Sequence, residues 1–417
     1  MSAAPAPRSD VLLLFLTRAV RLFAYGSVSV ILALYLAEVG LSDGQIGLLL
    51  TMTLLGDTVI SLGITTTADR VGRKRMLVVG AGLMVLGGVV FALSGSFVPL
   101  LLAATVGVIS PSGNEVGPFL AIEQAALAET VSAEDRTRVL AWYHLAGAFA
   151  TAAGALAAGA LVQLLEAQGV LPLHSMRVVL FAYAGAGALL AVQFLWLSPA
   201  AEAATAGPAT DAAPSRPGLL GLHRSRGVVL GLSGLFALDS FGGGFVLQSI
   251  VAYWFHIRFG ADPVTLGGIF FAANLLAGAS ALAAARIARR VGLLNTMVFT
   301  HAPSNLLLIL VPLMPTLPLA VAVLLLRFAI SQMDVPARLS YTAAVVSSDE
   351  RSAAAGITGV ARTTGAALSP VLAVLLLSNP ALTSGPFIVA GTLKLIYDGL
   401  LYRLFRGVTP PEEAAPH

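Results

Sequence analysis

Stretches of about twenty predominantly apolar residues recur along the chain, separated by short polar intervals. They begin near Val11, Gln45, Met76, Phe97, Arg138, His174, Gly227, Val264, Leu294, Leu317, Ser352 and Pro386. A helix of ~20 residues rises ~30 Å, the depth of a bilayer's hydrocarbon layer, so each stretch predicts a membrane-spanning helix. Period-two alternation is absent and Ala, Leu and Gly dominate, which argues against strands. The pattern predicts an all-α membrane protein of twelve transmembrane helices. A Pro, Ala and Ser-rich interval at 198–226 is the one long polar break, and it divides the chain into bundles at 1–197 and 227–417 joined by a cytoplasmic linker.

Composition agrees. Of 417 residues, 57% are hydrophobic and only 11% charged, so most of the chain needs lipid rather than water as its solvent. The first run contains Arg18 and Arg21 and continues to Tyr35 without a clear cleavage site, so it is expected to stay as a helix. Cysteine is absent, which excludes disulfides and thiolate metal sites.

Charge then orients the chain. With an even number of spans and both termini on one side, Arg70, Arg73, Lys74, Arg75, Arg224 and Arg226 share that side with most other loop arginines; only Arg177 and Arg258 fall opposite. That asymmetry places both termini in the cytoplasm of an inner or plasma membrane protein. The formal charge of +3 therefore reflects topology, and nothing points to nucleic acid.

The halves repeat. Gly40-Leu41-Ser42-Asp43-Gly44-Gln45-Ile46-Gly47 and Gly260-Ala261-Asp262-Pro263-Val264-Thr265-Leu266-Gly267 follow the first run of each half at the same place. At the same offset Asp69-Arg70-Val71-Gly72 meets Arg289-Arg290-Val291-Gly292. Later, Glu134-Asp135-Arg136 corresponds to Asp349-Glu350-Arg351. Three matches in sequential order indicate duplication of a six-helix unit, hence two pseudo-symmetric bundles.

The basic hairpin between the second and third runs, Ala68-Asp69-Arg70-Val71-Gly72-Arg73-Lys74-Arg75-Met76, resembles the loop signature of the major facilitator superfamily. Asp69, Arg70, Gly72, Arg73 and Lys74 match it, and Thr65 departs from its leading glycine. The resemblance extends over nearly the whole chain. It implies a transporter with a cavity between two bundles that open alternately, with the hairpin as a conformational gate on the cytoplasmic side. It implies no enzyme activity and names no solute.

Charges inside the apolar runs mark the candidate site, because they are costly in lipid and usually face a cavity or a partner. Arg327, Ser331, Asp334 and Arg338 share one face if the tenth run is an unbroken helix. They line a cavity for an anionic or polar group, or form an internal ion network that positions helices. Leu324-Leu325-Leu326-Arg327-Phe328 is similar to the family's arginine-bearing fourth-helix motif, transposed to the second half. Arg18, Arg21 and Tyr25 share a face of the first run; Arg18 lies shallow enough to snorkel toward headgroups, while Arg21 and Tyr25 lie deeper.

The fourth run contains Ser110-Pro111-Ser112-Gly113-Asn114-Glu115-Val116-Gly117-Pro118, which breaks the helix and frees carbonyls near Glu115. Glu115 is the first expected substrate or proton site and Asp57 the second. Glu123 is expected nearer the cytoplasm, in the network of Arg70, Arg73 and Arg136. Asp239 stands level with the arginines of the first run, so a pair across the halves is conceivable. Arg362 is read as an anion-binding group or as the counter-ion of Glu115 or Asp239. Gln248, Tyr253 and Trp254 are expected to line the outer cavity, His144 to be interfacial or a relay, and Phe241-Gly242-Gly243-Gly244-Phe245 to allow close packing or bending.

The expected function is secondary active transport of a small organic solute by a monomer in the bilayer, without cofactor or metal, driven by a proton gradient. A carboxylate that alternates between a dry and a wet or arginine-bound setting takes up and releases protons. A drug or metabolite exporter is the first reading and organic-anion uptake or exchange the second. A membrane sensor on a transporter fold and a membrane enzyme are the remote alternatives.

Overall fold

A computed structural model describes residues 8–131, 133–199, 202, 222–347 and 349–408. The regular elements are α1 (Arg8–Glu38), α2 (Asp43–Val71), α3 (Arg73–Leu93), α4 (Phe97–Val106), α5 (Phe119–Thr130), α6 (Ala133–Ala167), α7 (Pro172–Leu195), α8 (Arg226–Gly244), α9 (Gln248–Phe259), α10 (Pro263–Val291), α11 (Leu293–Leu310), α12 (Leu317–Phe328), α13 (Asp334–Ala344), α14 (Arg351–Ala367), α15 (Pro370–Leu377) and α16 (Gly385–Phe405). Among the described residues there is no strand.

Nine helical segments among the described residues are long and apolar enough to cross a bilayer. Three further runs complete the expected set. The fourth is split into α4 and α5, the tenth into α12 and α13, and α16 carries Lys394, Asp398 and Arg403 along its length. Leu12, Leu93, Leu102 and Trp196 are exposed, an arrangement suited to hydrocarbon rather than water.

Repeated local chemistry starts and stops corresponding helices. Ser42 caps α2 in a capping box, its amide donating to Gln45 Oε1 at 2.9 Å. At the matching place the Thr265 amide donates to Asp262 Oδ1 at 2.8 Å. Gly72 and Gly292, which end α2 and α10, adopt φ of 112° and 86°, a region that a side chain would strain. Gly40 and Gly260 pair in the same way, with φ of 91° and 66°. The duplication is thus present in backbone conformation as well as in sequence.

The chain groups into two compact units, one from the described parts of Met1–Gly207 with Gln248–Asn274, the other from those of Pro208–Leu247 with Leu275–His417. In the first, α1 is the most enclosed span and packs on α6, α7 and α9. Small residues set the α1–α6 spacing: a Cβ on Gly26 would lie 2.1 Å from the Thr151 carbonyl oxygen, and one on Gly154 1.9 Å from that of Phe23. In the second unit, α8 packs on α14 and α16, and α11 on α16 and α13. α8 ends within the expected glycine run, where Gly244 lies against Ala366 and Ser369.

Most of the expected linker, including residues 203–221, lies outside the described residues. Its first part is held to the first unit: Glu202 accepts the backbone N–H groups of Arg73 and Lys74 at 2.6 and 3.2 Å. These are orphan donors at the start of α3, where a carboxylate also complements the helix dipole. At the other end Glu350 accepts the N–H groups of His223, Arg224 and Ser225 ahead of α8. Burial raises the Glu350 pKa, but those donors and the Ser225 hydroxyl outweigh it and bring it down to about 2.

Candidate functional site

In the first unit a charged quartet fills the space between α1, α5 and α6. Arg18 Nη1 donates to Glu115 Oε2 at 2.9 Å, and Arg21 Nε to Glu115 Oε1 at 2.7 Å. Arg21 also grips Glu123 with both terminal nitrogens, at 2.8 and 2.6 Å. Thr17 and the Tyr143 hydroxyl complete the Glu123 carboxylate. The guanidinium carbons stand over rings, Arg18 at 4.3 Å from the Tyr143 centroid and Arg21 at 4.7 Å from that of Phe119. Two arginines face two glutamates, so the quartet is electroneutral.

Two expectations change here. Glu123 does not belong to a cytoplasmic loop network; it is fully buried against Arg21, because α5 restarts after the break and turns it toward α1. Nor does Arg18 snorkel, since Glu115 offers it a charged partner inside the bundle and Gly147 leaves room for its guanidinium. His144, on an exposed part of α6, contacts Arg18 Nη2 through Nδ1 at 3.4 Å.

The break at 107–118 frees carbonyls as expected, and each of five finds a donor. Tyr183 donates to Val108, Ser249 N–H to Pro111, Thr151 to Gly113, Ser110 to Asn114 and Tyr25 to Val116. Irregular backbone at membrane depth is tolerated only when satisfied in this manner. Asp57, half-buried on α2, accepts the Gly117 N–H and the Ser61 hydroxyl through Oδ1. It has neutral donors and no ion pair among the described residues.

Gln248, at the start of α9, donates to Ser29 Oγ at 2.8 Å and accepts from Asn274 at 3.2 Å, so it lies packed in the first unit. Trp254 is buried in an aromatic cluster with Phe255 and Phe259, whose rings pack edge to face with it. Tyr253 reaches Asp43 at 3.5 Å.

The second unit holds the larger network. Asp239 on α8 receives Lys394 Nζ of α16 on Oδ1 at 2.7 Å and Arg338 Nη1 of α13 on Oδ2 at 3.2 Å. These partners, not the arginines of α1, are its counter-ions. Arg338 also lies 3.5 Å from Asp334. The single stripe expected from Arg327 to Arg338 is interrupted, because the helix stops at Phe328 and restarts at Asp334. Pro336 gives the reason: a continuous helix would drive its ring into the Gln332 carbonyl.

Arg327 and Arg362 are half-buried and form no ion pair among the described residues, although both lie within electrostatic reach of Asp239 and Asp334. His301 and Asn305 of α11 and Asp398 of α16 join the network without having been singled out in the sequence. Their signal was present as two polar pairs at i, i+4, His301 with Asn305 and Lys394 with Asp398, on otherwise apolar helices. Of the gate residues, the Asp69 side chain lies outside the described residues. Arg70 is exposed, Arg73 is buried, and Lys74 Nζ donates to the Leu197 carbonyl at 3.2 Å. No metal-competent cluster occurs among the described residues.

Paired helical halves, broken spans with satisfied backbone and buried charge networks define a membrane transporter of small solutes rather than an enzyme. The chain belongs to the Major Facilitator Superfamily, whose family model matches residues 14–333. It is 31% identical to the uncharacterized membrane protein YJR124C of Saccharomyces cerevisiae, over 96% of this chain and 94% of that one. Among solved structures it is similar in fold to a bacterial homolog of the human lysosomal transporter Spinster, with a TM-score of 0.75 at 16% identity, covering 97% and 98% of the two chains. A D-xylose-proton symporter gives a TM-score of 0.71 at 15% identity, over 97% and 98%.

Proposed function

We propose that the protein is a proton-coupled secondary transporter of a small organic anion, working by alternating access in an inner or plasma membrane with both termini in the cytoplasm. One observation carries the substrate class. The acids of the first unit's quartet are matched by arginines, whereas in the second unit Arg327 and Arg362 have no ion-pair partner among the described residues. A cation at membrane depth without a paired counter-ion is costly, and a carboxylate or phosphate on the solute would relieve that cost.

Asp57 is the coupling acid this geometry favours in the first unit. Glu115 is already ion-paired to two guanidiniums, while Asp57 accepts only neutral donors and forms no ion pair among the described residues, which leaves it the carboxylate available to a proton. Export of a lipophilic drug or metabolite is the second reading, favoured by an apolar groove of about 590 Å³ between α1, α6 and α7, lined by Val20, Phe23, Leu161, Val179 and Leu189.

Flux into proteoliposomes tests both. Beyond the leak seen in protein-free liposomes, benzoate and succinate should move under an imposed pH gradient, and uridine and tetraphenylphosphonium should not. Movement of tetraphenylphosphonium alone would replace the anion reading with the second one. In Asp57→Asn the pH-driven accumulation should be lost while exchange of the same anion persists; Glu115→Gln takes first place as coupling acid if it shows that behaviour and Asp57→Asn does not.

A further inference from the structure

His301 on α11 and Asp398 on α16 lie inside the second unit with no part in the chemistry assigned so far. His301 Nδ1 is 2.8 Å from Asp398 Oδ1, and its Nε2 is 3.6 Å from Asp239 Oδ1. Asn305 donates to the other Asp398 oxygen at 3.0 Å. All four side chains are buried. Each imidazole nitrogen therefore faces a carboxylate, with Asn305 Nδ2 also 3.1 Å from Nδ1, and the two carboxylates suit a ring carrying both protons.

The ion-paired groups around this ring do not balance among themselves unless it is protonated. Asp239, Asp334 and Asp398 supply three negative charges, and the cations paired with them, Lys394 and Arg338, supply two. Asp239 has both cations and Asp334 shares Arg338, whereas among the described residues Asp398 is bonded by His301 and the neutral Asn305. Tyr397 of α16 adds its ring edge on at 5.7 Å from the imidazole centroid and no charge. Protonation makes the paired set neutral; loss of the proton leaves that set with one net negative charge. Arg327 of α12 and Arg362 of α14 feel Asp239 and Asp334, the same carboxylates that act on His301.

We propose that the His301–Asp398 pair is a second proton-binding site, and that its protonation raises the affinity of Arg327 and Arg362 for an anionic solute. The inference rests on the anion reading for its second clause only. On proton entry an N–H bond forms on the imidazole, its charge is taken up by Asp398 and Asp239, and the carboxylates within reach of Arg327 and Arg362 offset those arginines less. On release that bond breaks, the proton leaves to water, and the net negative charge of the paired set weakens the hold on the anion. Proton and anion thereby bind together, each raising the affinity for the other by the same factor.

The test needs no solute at its first stage. Protein labelled with ¹⁵N at histidine is placed in lipid nanodiscs and its imidazole resonances are followed from about pH 5 to pH 9. The resonance missing from His301→Gln should titrate in the unmodified protein. Its midpoint should fall by about one unit or more in Asp398→Asn, because a carboxylate partner favours the charged ring, and Asp57→Asn should leave it in place. A ring that keeps one protonation state throughout, or one indifferent to Asp398→Asn, overturns the site.

At the second stage benzoate and succinate are used in proteoliposomes. His301→Gln and Asp398→Asn should each lose pH-driven accumulation and keep counterflow of the anion. Unchanged accumulation overturns the coupling role, as does loss of counterflow in folded protein, which would mark a purely structural network. If His301→Gln does not fold, Asp398→Asn carries both stages. Failure of every anion to move, with the titration intact, overturns the substrate class and the affinity link and leaves the proton site standing.

Discussion

Arg21 and Glu123 are joined by two parallel hydrogen bonds, Nη1 to Oε1 and Nη2 to Oε2, with neither side chain open to solvent. The fork holds α1 to α5 immediately after the broken segment, and the remaining Arg21 nitrogen reaches Glu115 within that segment. One guanidinium thus ties the broken segment and the helix that follows it to α1.

Arg21→Ala should be among the most damaging single changes in the first unit. It leaves Glu123 buried without a cation, at a cost of about 3–5 kcal/mol. Thermal unfolding in detergent should show a large drop in midpoint, and the double variant with Glu123→Ala should recover part of it. Arg21→Lys should also lose stability, since an ammonium cannot make the paired contact. An unfolding midpoint for Arg21→Ala equal to that of the parent protein would remove the fork from the list of stabilising contacts.

Gly154→Val should separate α1 from α6. The first added carbon meets the Phe23 carbonyl oxygen at 1.9 Å, and backbone cannot step aside as a side-chain tip can. A loss of about 1–3 kcal/mol is expected for such overpacking. Gly82, with nothing within 4 Å of its would-be Cβ, is the control position and should accept alanine without change. Monodisperse yield and melting temperature of the two variants make the comparison.

The Glu350 clamp should be acid-sensitive within a defined window. Its folded-state pKa, about 2, lies below the ordinary value of 4.5, so its contribution is fully present above about pH 4.5 and is lost as the pH falls toward 2. Hydrogen exchange at residues 223–225 should stay slow at neutral and mildly acidic pH and rise below that window. Glu350→Gln should show faster exchange already at neutral pH. Equal exchange in both proteins at pH 7 would mean that the carboxylate does not hold this segment.

Because the chain lacks cysteine, its sidedness can be read with single introduced thiols. Ala213→Cys in the linker should react only with reagent from the cytoplasm. Gln168→Cys, exposed between α6 and α7, should react only from outside. Reaction of both from the same side of intact cells would contradict the assigned orientation.

Helix number and placement were legible because membrane burial acts on length and composition, which a sequence displays directly. The expected starts at Phe97, Leu317 and Pro386 meet helix starts at Phe97, Leu317 and Gly385. Pro111 and Pro118 likewise disclosed the first broken span. Pro336 carried the same information about the second, but the spacing of Arg327, Asp334 and Arg338 suggested continuity more strongly than one proline opposed it.

Partnership was harder to read than position. Periodicity tells which residues share a face of one helix, yet Asp239 draws its cations from α13 and α16, and His301 its carboxylates from α8 and α16. Those pairings depend on which helices become neighbours and at what height. Glu123 was misplaced for the same reason, since the break rotates everything after it by an amount that spacing along the chain does not record.

The way the break at 107–118 is closed has a consequence for biosynthesis. Its carbonyls are satisfied by donors that leave the ribosome at widely different times. Tyr25 is already made when the segment emerges, Tyr183 comes two spans later, and the N–H of Ser249 arrives only when the second half of the chain has begun. The set of contacts that closes the fourth span is therefore complete only once part of the second half has been made.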